Sequence, residues 1–229
     1  MSGIITTQQR GFSGANQVVL HDYGDLIISL QDQEGLIMEG DKELLKSIET
    51  VVENGVLHIR IRTGLFDKIG HALSTSLSSK PLRFRLAMKE LRGLYIKGAG
   101  RARVTSPVDT QDMAISLQGA GSIELPSLTA ETLKVDFGGT GRLAIGGEVW
   151  GQSVLLTGAG NYAAPGLVSA KTTIEIRGAG KATVWVEDEL RVSIRGVGSV
   201  DYYGTAQLHS SKSGLGNVKH LGDAPPASY

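Results

Sequence analysis

A Gly-x-Gly pair recurs seven times between residues 98 and 216. The pairs are Gly98 and Gly100, Gly119 and Gly121, Gly139 and Gly141, Gly158 and Gly160, Gly178 and Gly180, Gly196 and Gly198, and Gly214 and Gly216. Their first glycines stand 21, 20, 19, 20, 18 and 18 residues apart. A unit of this length is one supersecondary element, too small to bury a face alone, so its copies must stack.

The flanks show how. Two places before the first glycine stand Ile96, Leu117, Phe137, Leu156, Ile176, Ile194 and Lys212. Four places before it stand Leu94, Ile115, Val135, Val154, Ile174, Val192 and Ser210. Apolar residues also dominate four and six places after it, while the interleaved positions are mostly polar. Alternation of this kind on both sides of the glycines gives two short half-buried strands per repeat. Stacked strands of one direction make an all-β fold, a single-stranded parallel β-helix with rungs of about 20 residues and GxG turns. It is expected to be right-handed, as strand-crossover-strand connections nearly always are. The glycines are read as structural turn residues supplying φ > 0. Ser210, Lys212 and His220 replace apolar residues in the last rung, which reads as a polar terminal cap.

The N-terminal third carries a founding rung at 17–30, with Asp22-Tyr23-Gly24 at the place of Gly-x-Gly. An elaboration follows: a strand at 35–40, then a short helix capped by Asp41 with Leu44, Leu45 and Ile48 on one face. A hairpin at 51–62 turns on Asn54-Gly55. Residues 63–80 read as an exposed loop with a brief amphipathic helix at 65–73, and Leu82, Phe84, Leu86 and Met88 share one face of the strand after Pro81. The elaboration is expected to cap the open end of the coil. The domain reading is a tail at 1–10, one domain at 11–222 and a tail at 223–229. That domain divides at residue 92 into founding rung plus elaboration and seven GxG rungs.

Composition narrows the function. Lys plus Arg equals Asp plus Glu, so no global field draws the chain to nucleic acid. Cysteine is absent, which removes disulfides, thiol catalysis and zinc-thiolate sites. No stretch reaches the roughly 20 apolar residues of a membrane-spanning helix. The start, MSGIITTQQRGF, lacks the basic and apolar regions of a signal peptide, so cytosolic placement and a mature exported form both stay open.

None of the glycine pairs satisfies a nucleotide motif. The dinucleotide fingerprint needs a third glycine where position 103 is Arg, and the P-loop needs Gly-Lys-Ser/Thr where Gly180-Lys181-Ala182 stands. No cofactor is expected. The five histidines are scattered, without metal-ligand spacing. The outward carboxylates Glu124, Asp136, Glu175 and Asp201 form no repeated pair of the kind glycoside chemistry needs. Basic residues do gather beside the glycines: Lys97, Arg177 and Arg195 on one side, Arg101, Arg142 and Lys181 on the other. They make a candidate anion- or glycan-binding column, aided by turn N–H groups. Tyr95, Trp150, Tyr203 and Trp185 are candidate exposed aromatics for stacking on sugars.

The order "FSGANQVVLHDYGDLIISL", "LLKSIETVVENGVLHIRI", "PLRFRLAMKELRGLYIKGAG" and then iterated GAG turns resembles the bacterial family called putative auto-transporter adhesin, head GIN domain, from about Gly11 to Gly222. The resemblance implies a β-helical domain of envelope or surface proteins without an agreed activity. It points to a non-enzymatic, adhesin-like binding or structural module whose partner is a glycan or protein at the cell surface. The alternatives are a self-assembling solenoid, a homo-oligomer built end to end, and a polysaccharide-active enzyme.

Overall fold

The computed structural model describes residues 5–62 and 82–226. The loop and helix expected at 63–80 lie outside the described residues.

Each repeat folds as a rung. The first comprises β8 (Gly93–Ile96), β9 (Ala99–Val104) and the start of β10 (Val108–Leu117), whose second half stacks on β8 and opens the next rung. β11 (Ala120–Phe137), β12 (Thr140–Leu156), β13 (Ala159–Ile176) and β14 (Ala179–Ile194) follow. β15 (Val197–Tyr203), β16 (Gln207–Lys212) and β17 (Leu215–Gly222) end the coil. All these strands pair in parallel and in register, so Ile96, Leu117, Phe137, Leu156, Ile176, Ile194 and Lys212 form one column. The result is a β-solenoid of about six turns.

Two strands per rung undercounts the ladders. One ladder precedes the glycines and a second follows them. A short third runs through Val108–Thr110, 128–130, 147–149 and 167–169. Rungs of unequal length stay aligned because irregularities between Leu125 and Leu128, Ala144 and Gly146, and Ala164 and Val168 absorb the difference at the corners. The inward columns are buried in one continuous apolar core up to the last rung, whose Ser210, Lys212 and His220 are exposed.

The glycines serve a purpose other than the one expected. The chain bends at each first glycine, but none of the seven has a positive φ, and among the pairs only Gly141 does. The cause is close stacking of backbone. A Cβ on Gly119, Gly139, Gly158, Gly178, Gly196 or Gly214 would lie closer than 3.0 Å to the carbonyl oxygen of the first glycine one rung below. That oxygen accepts the N–H of the next residue, as in Ala120 to Gly98 at 3.0 Å, Thr140 to Gly119 at 2.9 Å and Ala159 to Gly139 at 3.0 Å. Only a residue without a side chain lets the corner stack and keep this bond. The second glycine already lies within the following strand.

The founding rung holds its predicted register. β2 (Gln17–Leu20) pairs with β8, and β3 (Tyr23–Leu30) pairs with β9, placing Gly24 opposite Gly100. The elaboration lengthens both ladders. β6 (Val56–Ile61) lies parallel to β2 and carries the antiparallel β5 (Ile48–Glu53), through a turn with positive φ at Asn54 and Gly55. β7 (Arg83–Met88) lies parallel to β3 and carries the antiparallel β4 (Gly35–Asp41). β1 (Ile5–Arg10) pairs antiparallel with β4, so these residues, expected in an N-terminal tail, belong to the sheet.

Helix α1 (Lys42–Ser47) links β4 to β5. The Asp41 carboxylate accepts from Glu43 N and Leu44 N, and Leu44, Leu45 and Ile48 enter the core. Arg10 fastens this end, donating to Ile48 O at 2.7 Å, Thr50 Oγ1 at 3.2 Å and Leu45 O at 3.3 Å. The opposite end is open: every residue of β16 is exposed.

Candidate functional site

In-register strands turn outward residues into columns, so each outer face is a fixed pattern of side chains about 4.8 Å apart along the axis. The six basic residues predicted beside the glycines do stand at the corner between the first and second ladders. All six are exposed. Four of them are engaged by carboxylates. Arg101 makes two bonds to Asp25, at 2.9 and 3.2 Å. Arg177 grips Glu175 at 2.9 and 3.1 Å, and Arg195 reaches the same carboxylate at 3.5 Å. Lys181 lies 2.6 Å from Asp201. Hydrogen bonding to Arg177 holds the Glu175 carboxyl below the usual carboxylate range and raises Arg177. Lys97 and Arg142 carry no ion pair among the described residues.

Three of the four outward carboxylates are spent in the same way, and the fourth, Asp136, has no ion pair among the described residues. Glu124 pairs with Arg103 at 3.6 Å, while Glu175 and Asp201 serve the bridges above. Ion pairs at a solvent-facing surface such as these contribute little to stability.

A more built surface lies on the outer face of the first ladder. Two shallow depressions, of about 330 and 370 Å³, share Thr173 and Arg191 and run together as one trough across β11, β12, β13, β14 and β16. Lys134, Ser153, Thr173, Arg191 and His209 occupy one column of it. Trp150 stands at its rim and is 61% exposed. Trp150 occupies the corner position between Val149 and Gly151, and the small Ala170 follows it one rung later. That leaves room for Lys171, whose ammonium rests 5.0 Å from the indole centroid. Arg191 is held by Glu189 at 2.6 Å, and His209 lies 3.7 Å from the same carboxylate. Lys134 and Lys171 have no carboxylate partner among the described residues.

The trough floor is backed by an internal polar cluster. The Tyr162 hydroxyl, fully buried, donates to Gln152 Oε1 at 2.6 Å, and Gln152 Nε2 donates to Ser169 Oγ at 3.0 Å. Ser169 Oγ lies 2.7 Å from Thr172 Oγ1 and donates to Trp185 O at 2.9 Å. Burial pushes the Tyr162 phenol far above its ordinary range, so it stays a neutral donor. Tyr162 lies four places after Gly158, at an inward position of the alternation. The partner column, Leu133, Gln152, Thr172 and Leu190, becomes visible only once the third corner is placed.

Of the other expected aromatics, Tyr203 is buried and Tyr95 bonds to Gln17 at 3.1 Å. Trp185 is half-buried, with its indole N–H held by Glu187. Trp150 alone of the four is broadly exposed. The structure also joins two histidines 37 residues apart in the chain. His21 Nε2 and His58 Nδ1 lie 2.9 Å apart, His21 just past the end of β2 and His58 on β6, two strands whose pairing the sequence did not reveal. Burial, then Lys97 and His58, lower the His21 pKa. Among the described residues no three His, Cys, Asp or Glu side chains gather as a metal site.

Residues 15–206 match the family model described as putative auto-transporter adhesin, head GIN domain. Among solved structures, a "putative adhesin" from Bacteroides fragilis NCTC 9343 superposes with a TM-score of 0.85 at 21% identity, covering 96% of this chain and 98% of that one. A "putative adhesin" from Parabacteroides distasonis ATCC 8503 gives 0.70 at 17%, covering 96% and 98%. A "putative lipid binding protein" from the same organism gives 0.68 at 19%, covering 95% and 96%. At these identities the likeness is one of fold. No curated protein matches the chain.

Proposed function

The chain belongs to the head GIN domain family of putative auto-transporter adhesins, and from that membership we propose that it is a non-catalytic binding module of the bacterial cell envelope. It holds a long outer face of its solenoid toward a glycan or protein partner. The observation that carries this is the trough over five stacked strands of the first ladder, with an exposed tryptophan and unpaired lysines along it. Such a face suits an extended ligand better than a small molecule, which favours enclosed apolar pockets. Catalysis has no part in it: Glu124, Glu175 and Asp201 are tied to basic neighbours rather than converging on a cleft. The basic corner offers less, since four of its six members are engaged within the chain and the other two, Lys97 and Arg142, do not line the trough.

The test is a panel of immobilised bacterial and host glycans and extracellular proteins probed with the purified domain. Saturable binding to at least one class, without turnover, is expected. Capture of nothing, or product release from a bound glycan, overturns the reading.

End-to-end assembly is the second reading, and the open edge at β16 and β17 favours it. Head-to-tail growth needs both ends, however, and α1 with Arg10 covers the other. Light scattering across a concentration series separates the two, since growth of large particles belongs to assembly alone.

A further inference from the structure

We propose that the trough beside Trp150 is a binding site for a linear acidic polysaccharide lying along the solenoid axis, an inference that rests on the binding-module reading above. Three consecutive rungs carry it. Lys134 lies on β11, Trp150 on β12 and Lys171 on β13, so the two lysines stand two strands apart along the axis, in neighbouring outward columns, with the tryptophan on the strand between. The floor between them is small and hydroxylic: Gly151, Ser153 and Thr173.

Each part suits a charged sugar chain. An exposed indole offers a flat apolar face to the C–H face of a sugar ring. The Lys171 ammonium lies over one face of the indole, so a cation stands beside the ring on which a sugar would stack. The contrast with the glycine corner decides the charge of the ligand. There, four of six cations already hold carboxylates of this chain. In the trough the carboxylates Glu175 and Glu189 are taken by Arg177, Arg195 and Arg191, so Lys134 and Lys171 are left to pair with a ligand's acid groups. Glu131, on the corner column next to Trp150, is turned to Gln111 at 3.4 Å.

An acidic peptide would satisfy the lysines but gain little from the indole. A single-stranded nucleic acid would want several stacking aromatics along a more basic groove, and this trough has one.

The experiment is isothermal titration of the whole chain with oligogalacturonate, oligoalginate, heparin oligosaccharide, neutral cello-oligosaccharide, polyglutamate and oligo(dT). Intrinsic tryptophan fluorescence is recorded in parallel. An acidic glycan should bind with a change in Trp150 emission and weaken with added salt. Trp150→Ala and the double variant Lys134→Glu with Lys171→Glu should each lose roughly tenfold in affinity or more. The control double variant Lys97→Glu with Arg142→Glu, which alters the same net charge at the glycine corner, should bind as the wild type. Whichever anion binds best, uronate or sulfate, identifies the acid group. Equal losses in trough and corner variants, equal binding of the neutral glycan, or preference for polyglutamate or oligo(dT) overturns the assignment. If a glycan or protein from the wider panel binds while Trp150→Ala leaves it untouched, the trough falls and the binding module stands. If nothing binds, both fall.

Discussion

Alanine at Gly139 is predicted to destabilise the domain by about 2–4 kcal/mol. The methyl group would press on the backbone of Gly119 one rung below, closer than 3.0 Å to its carbonyl oxygen. Backbone cannot swing aside as a flexible side chain can, so the two corners must separate. Separation strains three hydrogen bonds: Gly139 N to Leu117 O and Thr140 N to Gly119 O, both 2.9 Å, and Ala159 N to Gly139 O at 3.0 Å. Weakening one or two of these costs about 0.5–1.5 kcal/mol each, and the overpacking itself about 1–3 kcal/mol. Because φ at Gly139 is not positive, relieved chain entropy works the other way, by about 0.4–1 kcal/mol. Gly151→Ala is the matched control, for its nearest neighbour is Lys171 O at 3.9 Å, and it should be neutral or slightly stabilising. Urea unfolding followed by far-ultraviolet circular dichroism gives both values. A Gly139→Ala protein as stable as the wild type would show that steric stacking is not why the corner is glycine.

Tyr162→Phe should cost about 1–3 kcal/mol in the same assay, because it strands Gln152 Oε1 inside the core, and adding Gln152→Met should recover part of the loss. Arg10→Ala frees the carbonyls of Leu45 and Ile48, so amide exchange should accelerate in α1, β1 and β5 while the central rungs keep their protection. His21 titrates below its ordinary range when folded, so the unfolded chain binds more protons as pH falls from about 6.5. Stability should therefore be full above that pH and decline below it. His21→Gln should flatten that part of the profile, and an unchanged slope would remove His21 as its cause.

The fold was legible because stacking makes every rung repeat one alternation, and the register of Leu94, Ile96, Ala102 and Val104 against their counterparts follows from counting. The third ladder was not, since its corners fall at irregularities such as Ala164 to Val168, where the period breaks. The glycine column was visible, but its cause was not: a sequence cannot distinguish a residue chosen for φ from one chosen for the carbonyl one rung below. The candidate site shows the same limit. Basic residues beside Gly-x-Gly are easy to align, yet their partners Asp25, Glu175 and Asp201 come from stacking geometry. Trp150, Lys171 and Lys134 sit at unlike positions in three rungs and meet only when the coil is wound.

Hydrogen exchange of the intact domain with and without oligogalacturonate tests the central claim most directly. Protection is predicted in segments spanning residues 132–134, 150–153, 171–175 and 189–195, with residues 97–101 and 140–142 unchanged. Protection confined to the glycine corner, or to the open edge at β16 and β17, would contradict it.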